Sequence, residues 1–398
     1  MKKIRKNHLN ALIIALLLAT NNYMQASLVG TLKNINPYQM SWGKNGIFAI
    51  AKTNNDHLKI FAIIDNKIKE VNQPIKIISD DFRYFQFSPN GNYIQYTLGI
   101  DRADYEIIYL NDFSNNKIGK KIKNFTYDPN EKYAEFDWHP NNKNFAINNY
   151  ETKEAICTYT IKNKKIRLAK TIPITYYSDR RMYNLQYMKK SGKYIYYEGI
   201  LDDEDIDEKE ILLIKNLYGI SEKDSNHIGQ IIKINSKQPI SIKINNKDYK
   251  FIGFPRDQIL FHPTEDSFII YTSGENNETI LRSFKIIKDE IILDKKFTYK
   301  MPITPKCFSY NGKYIAFTRP NKNTIGFINF KSGKILKKYI KGHKSPIKTI
   351  KFSRDGKYIA SISKDGELKI WNNPFYKEPI RKKDFEERIK FALEEESK

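Results

Sequence analysis

The sequence predicts an all-β chain, a seven-bladed β-propeller closed by its N-terminal strand and followed by a short C-terminal helix. Three observations predict it: a phrase repeated seven times, the near-regular steps between its copies, and a likeness between the two ends of the repeat array. The phrase is an aromatic residue, a short turn rich in Ser, Pro, Asn and Gly, and a second aromatic that leads an apolar strand. It reads Trp42 to Lys52 (WGKNGIFAIAK), Phe87 to Thr97 (FSPNGNYIQYT), Trp138 to Asn149 (WHPNNKNFAINN), Tyr187 to Glu198 (YMKKSGKYIYYE), Phe261 to Thr272 (FHPTEDSFIIYT), Phe308 to Thr318 (FSYNGKYIAFT) and Phe352 to Ile362 (FSRDGKYIASI). The leading aromatics are 45, 51, 49, 74, 47 and 44 residues apart. A period of this kind built on one strand signature marks a radial array of small sheets, none of which can bury its faces alone.

In chain order, the first 26 residues stand apart from the repeats. Lys2, Lys3, Arg5 and Lys6 precede an apolar run from Ala11 to Ala19 and a polar stretch ending at Ala26, the pattern of a bacterial secretory signal peptide. The run is shorter than the roughly 20 apolar residues of a membrane span, and no Cys stands nearby for a lipid anchor. Cleavage is expected after Ala26. The mature chain is then exported, periplasmic or secreted, with no transmembrane anchor.

Ser27 to Asn36 (SLVGTLKNIN) resembles Gly333 to Gly342 (GKILKKYIKG), the run before the last repeat. The N-terminus is therefore expected to supply the fourth strand of the seventh blade, hiding an edge that would otherwise invite aggregation. The propeller spans residues 27–381. Within each repeat the phrase is the hairpin between first and second strands. Asn90 and Gly91, Asn311 and Gly312, and Asp355 and Gly356 supply the positive φ of a tight turn, and the aromatic and β-branched residues that follow suit a half-buried strand.

The step of 74 residues contains an insertion, 201–247, on the fourth blade. It begins with the acidic run Asp202 to Glu210 (DDEDIDEKE) and includes two strand-like stretches, Gln230 to Asn235 and Ile240 to Asn245. Following the second strand Tyr194 to Ile200, it is expected on the same loop face as Lys364 and Asp365. Its carboxylates at Asp202, Asp203, Glu204, Asp205, Asp207 and Glu208 match no calcium loop and lack the central Gly of one, so no metal is expected. These six residues and Lys364 are the candidates for binding a partner protein.

Charge and cysteines narrow the classes. The chain has 68 Lys and Arg against 45 Asp and Glu, a balance of +23. The lysines run through every repeat alongside Asn and Ile, all with A/T-rich codons, so the charge reads as genomic composition and not as a nucleic-acid interface. An anionic envelope surface remains open as a partner. Cys157 and Cys307 fall in repeats three and six, far apart on a seven-fold ring, and are expected as free thiols. His139 and His262 occupy the same place in their repeats, between an aromatic and a Pro, and are read as turn-stabilising side chains. His57 and His227 are read as loop residues.

The last repeat carries the specific motif. Gly342 and His343, Ser361, Asp365 and Gly366, and Trp371 are spaced so that Asp365 lies 22 residues after His343, four after Ser361 and six before Trp371. This pattern resembles the WD-repeat family. The resemblance implies that His343, Ser361, Asp365 and Trp371 form a hydrogen-bonded structural tetrad, with His343 donating to Asp365 and accepting from Ser361, and Ser361 accepting from the Trp371 indole. Its likeness to a Ser-His-Asp triad is superficial, since no oxyanion hole or nucleophile elbow accompanies it. In repeat six the place of Trp371 falls to Ile328. Phe87 to Tyr93 (FSPNGNY) and Phe308 to Tyr314 (FSYNGKY) are also similar to phrases of TolB-type propellers, a family with an α/β domain before the propeller, for which there is no room between Ala26 and the first repeat.

Past the ring, in 382–398, Asp384 and Glu387 make a capping-box pair, and Phe385, Ile389 and Leu393 fall on one face of an amphipathic helix over Asp384 to Glu396. There is no G-x-S-x-G, H-E-x-x-H, phosphate loop or CxxC pair, and no cofactor is expected. The reading is a non-enzymatic exported scaffold that binds protein or envelope components through its loop face. The alternative is a hydrolase or lyase with its site at the central channel.

Overall fold

The structure is a computed structural model. It describes residues 26–33, 37–43, 45–52, 57–70, 75–76, 82–98, 104–109, 121–125, 136–139, 141, 143–149, 155–163, 165–173, 180–188, 193–200, 214–220, 225–232, 240–244, 247–251, 259–273, 277–287, 290–320 and 322–377. Residues 1–25 of the expected signal peptide, the acidic run 202–210 and the C-terminal helix expected over Asp384 to Glu396 lie outside the described residues.

All regular structure among the described residues is β, arranged as a β-propeller. The strands form seven antiparallel sheets. The first joins Pro37–Trp42, Ile47–Lys52, His57–Ile64 and Lys67–Glu70, with a two-residue strand Ile75–Lys76 against the third. The second joins Phe82–Phe87, Tyr93–Leu98, Asp104–Tyr109 and Lys121–Phe125, and the third Phe136–Trp138, Asn144–Asn149, Ala155–Lys162 and Lys165–Pro173. The fourth has six strands: Arg180–Met188, Lys193–Ile200, Ile214–Ile220, Ser225–Ile232, Ile240–Ile244 and Lys247–Phe251. The fifth joins Ile259–Phe261, Ser267–Ser273, Thr279–Ile287 and Glu290–Tyr299, and the sixth Thr304–Phe308, Tyr314–Thr318, Thr324–Asn329 and Ile335–Lys341. In the seventh, Ile347–Phe352, Tyr358–Ser363 and Leu368–Asn372 are followed by the N-terminal Leu28–Leu32, which pairs Leu28 with Trp371 and Leu32 with Leu368.

Each recurring phrase spans the first and second strands of its sheet, and three of the turns between them are held by the same set of side-chain bonds. Ser353 Oγ donates to Asp355 Oδ1 and accepts from Tyr358 N–H at 2.8 Å, while Asp355 Oδ1 also accepts from Lys357 N–H. Ser88 with Asn90, and Ser309 with Asn311, repeat these bonds. Gly91, Gly312 and Gly356 close the turns at φ of 74°, 70° and 73°, a region that costs other residues about 1–2 kcal/mol. Short polar side chains thus replace the backbone bonds that a longer loop would leave unmade.

Cohesion between sheets comes from apolar residues alternating along the strands. Met40, Trp42, Phe48 and Ile50 of the first sheet pack with Ile362, Leu368 and Ile370 of the seventh, and Val29 and Leu32 of the N-terminal strand join that cluster. Phe327 and Ile340 of the sixth meet Ile350, Ile359 and Trp371 of the seventh. Neighbouring sheets touch in chain order, and the N-terminal strand of the seventh lies against Lys67–Glu70 of the first.

Four sequence expectations take a different form. The extra length of the fourth sheet was expected wholly between its second and third strands. Residues 201–213 do fall there, but the Ile240–Ile244 and Lys247–Phe251 hairpin adds beyond the fourth strand, Ser225–Ile232. His57 opens a strand and His227 lies within one, so neither is a loop residue. Neither Cys157 nor Cys307 takes part in a disulfide, and only Cys157 is fully buried. Burial pushes the Cys307 thiol up to about 12, which keeps it un-ionised.

Candidate functional site

The polar residues singled out in the last repeat sit at one end of the seventh sheet. Trp371 Nε1 donates to Ser361 Oγ at 2.8 Å, and Ser361 Oγ lies 2.6 Å from His343 Nε2. One donor sense joins the three groups: indole N–H to hydroxyl, hydroxyl O–H to imidazole Nε2, which leaves the ring proton on a buried Nδ1 that has no hydrogen-bond partner among the described residues. Ser361 is fully buried and the His343 side chain is 1 % exposed. Three of the four expected members are thus joined.

The fourth, Asp365, is not. It stands exposed in the turn after the second strand, where its carboxylate accepts from Ser363 Oγ; that bond holds it below the usual carboxylate range. The carboxylate nearest His343 is Glu367, whose Oε2 is 3.7 Å from Nδ1. Strand alternation explains the exchange: Glu367 and Trp371 stand an even number of residues apart and share a side with Lys369, which pairs with Ser361, whereas the turn carries Asp365 past the end of the sheet. Lys369 Nζ lies 2.9 Å from Glu367 Oε2 and donates to Gly342 O. Burial, assisted by this ammonium group against the opposing carboxylates, lowers the His343 pKa to about 4. A neutral imidazole shut away from solvent, with its Ser already accepting from Trp371, has no open face for a substrate. Glu367 and Lys369 were readable from the two-residue alternation around Trp371, a signal that the four-residue motif overrode.

The two histidines of the repeat phrase stabilise turns, as expected. Each takes the place held by Ser88, Ser309 and Ser353 in three of the other phrases. His139 Nδ1 accepts from Asn141 N–H at 3.0 Å, and His262 Nδ1 accepts from Glu265 N–H at 3.0 Å. His262 also reaches Gly312 O of the sixth sheet at 3.2 Å and packs edge-on against Phe308. Burial leads in lowering its pKa. Among the described residues no group of three or more His, Cys, Asp or Glu could hold a metal ion, and no helix is long and apolar enough to cross a membrane.

Of the expected partner contacts, Lys364 is described. It is exposed beside Asp365, and its backbone N–H donates to Pro346 O at 2.8 Å, tying the turn to the chain that enters the sheet. Asp202, Asp203, Glu204, Asp205, Asp207 and Glu208 lie outside the described residues. At the corresponding end of the sixth sheet the structure shows a groove of about 310 Å³ with Arg319, Lys322 and Lys341 among its lining residues. No motif search would find this groove, because its residues come from one connection and three strands.

The WD40 family model (WD domain, G-beta repeat) matches residues 333–372. That span runs from the turn before Ile335–Lys341, through the seventh-sheet strands, to Asn372, and so contains the His343, Ser361 and Trp371 network. No curated protein matches the sequence. Among solved structures, the chain is similar to the β-propeller domain of Cps50 (Swd1) from Myceliophteria thermophila, with a TM-score of 0.56 over 87 % of this chain and 99 % of that one, at 12 % identity. At that identity the likeness speaks for the fold alone. The chain is thus a β-propeller that carries one recognisable WD repeat, residues 333–372.

Proposed function

We propose that the chain is an exported, non-enzymatic scaffold that binds protein or envelope components through the loops between second and third strands. In this reading the seven sheets are seven blades of one ring over residues 27–381, closed by Leu28–Leu32, and the tail helix of 382–398 packs on its edge. Support for the closed ring comes from the pairing of Leu28–Leu32 with Leu368–Asn372 and from the contacts that run from sheet to sheet. Export rests on the sequence pattern of residues 1–26.

The observation that carries the binding role is the division of polar groups. His139, His262, His343, Ser353 and Ser361 have their side chains engaged in turns and strand ends, where they hold the ring, while Arg319, Lys322 and Lys364 stand exposed on connections between second and third strands. Exposed charges on loops carried by a rigid scaffold suit recognition of another macromolecule. The acidic residues Asp202 to Glu208 belong to the same set of connections and add a site for a basic partner. The test is affinity capture of the mature protein from its own cell envelope, repeated with Lys364→Glu and with Asp202 to Glu208 reversed in charge. A reproducible partner lost on one of these reversals is expected. Retention of nothing, together with turnover of an acidic polymer by the purified chain, would overturn the scaffold in favour of an enzyme.

A further inference from the structure

From Lys295 to Arg354 the chain has 16 Lys and Arg and not one Asp or Glu. The stretch includes the whole sixth sheet and its connections. Cations without neighbouring carboxylates repel one another, and an apolar hollow among them would attract whatever supplies the missing charge. The groove of about 310 Å³ is such a place. Its lining includes buried Phe317, half-buried Ile335 and Tyr339, which is 56 % exposed. Gly326 belongs to the lining because the Phe317 ring crosses it: a Cβ there would lie 2.3 Å from the ring.

The cations gather at one end. Lys341 pairs with Thr324 in the sheet, and the loop entering Thr324 carries Arg319 and Lys322. Asn323 Nδ2 donates to Lys344 O at 2.6 Å, which holds that loop against the connection leaving Lys341. Arg319, Lys322 and Lys341 make no ion pair among the described residues; Lys341 Nζ instead lies over the Tyr339 ring at 4.8 Å. The groove thus presents positive charge at its mouth and apolar surface inside.

We infer that this groove binds an acidic peptide segment of a partner protein, one bulky apolar side chain entering it and flanking carboxylates meeting Arg319, Lys322 and Lys341. The inference rests on the protein-binding reading above and names the chemistry of the partner. The volume is at the small end of the roughly 300–1,000 Å³ of ligand pockets, room for a side chain or two. Phe317 is buried and Ile335 and Leu336 are half-buried, whereas insertion into a bilayer needs several apolar side chains that protrude. A single exposed aromatic covered by a lysine offers no succession of platforms for stacking bases.

The test is a peptide array probed with the purified chain, each peptide carrying one varied central residue flanked by Glu, by Ser or by Lys. Glu-flanked peptides with central Leu, Phe, Tyr or Trp should bind at least about tenfold more tightly than their Lys-flanked counterparts or Glu-flanked peptides with central Ser, with an affinity that falls as salt rises. A double variant Arg319→Glu with Lys322→Glu, both exposed positions, should lose at least about tenfold in affinity with its thermal midpoint unchanged. Tyr339→Ser should weaken the preference for a bulky centre. The inference fails if no Glu-flanked peptide binds, if flanking charge makes no difference, or if the double variant binds equally well. It also fails if an oligo(dT) strand or phosphatidylglycerol vesicles displace the peptides and bind more tightly than they do. Capture of an envelope partner equally by the parent and the double variant would sink this groove while leaving the scaffold reading in place.

Discussion

At His343 the balance of burial and charge has a measurable outcome. Its pKa near 4 lies below the 6.5 of an exposed imidazole, so between those values the unfolded chain holds a proton that the folded chain does not. Stability is therefore insensitive to this group above about pH 6.5, falls as the pH drops from 6.5 to 4, and levels out below, with a total loss of up to about 3 kcal/mol. Urea unfolding across that range should show the slope, and His343→Gln should flatten it; an unchanged slope would place the titration elsewhere. Ser361→Ala leaves the Trp371 N–H and His343 Nε2 without their shared hydroxyl in a buried site and should cost about 1–3 kcal/mol, read by the same measurement. His343, Ser361 and Trp371 were legible from spacing because each lies within or beside a strand whose register is local. Asp365 misled because spacing alone does not say which side of a turn a residue occupies, and only strand alternation places Glu367 beside the imidazole.

Within single elements, the turn of the repeat phrase shows what its glycine is for. At Gly356 φ is +73° and the nearest atom to a Cβ is 4.0 Å away, on Tyr376, so Gly356→Ala should cost only the backbone conformation, about 1 kcal/mol. At Gly312 the same backbone is joined by the His262 ring, 2.1 Å from where a Cβ would stand. Gly312→Ala should therefore cost roughly 3 kcal/mol or more, and thermal melts of the two variants should rank them in that order. Pairing it with His262→Ala, which removes the ring, should bring part of that loss back. These hairpins were legible in the sequence because they are closed by side chains two to five residues apart. The six-stranded sheet was only partly so. The strand-like stretch at Ile240 to Asn245 was visible, but its place outside Ser225–Ile232 is a choice among sheet edges that no local signal makes.

For the molecule as a whole, the likeness of Ser27 to Asn36 to Gly333 to Gly342 was the one long-range signal in the sequence, and it works because both stretches contain the fourth strand of a sheet. The first three strands of the two sheets also share a register: Phe308, Ile315 and Ile328 stand opposite one another across the sixth sheet as Phe352, Ile359 and Trp371 do across the seventh. The charge pattern that surrounds the groove was equally open to inspection, yet it has no motif, only an absence of carboxylates over 60 residues. Deleting residues 27–32 should lower the thermal midpoint and broaden the transition of the entire β structure, followed by circular dichroism. Loss confined to the seventh sheet would speak against a ring held under common tension. Asn372 donates to the Ser27 hydroxyl at 2.7 Å across 345 residues of chain, and this one contact sets the order of events during synthesis. Leu28–Leu32 leaves the ribosome long before its partner strand, so the seventh sheet cannot be completed until Leu368–Asn372 has been made. Slow, late closure follows from so distant a pairing, and until then Leu28–Leu32 is a strand without its neighbour, the segment a chaperone would have to shield.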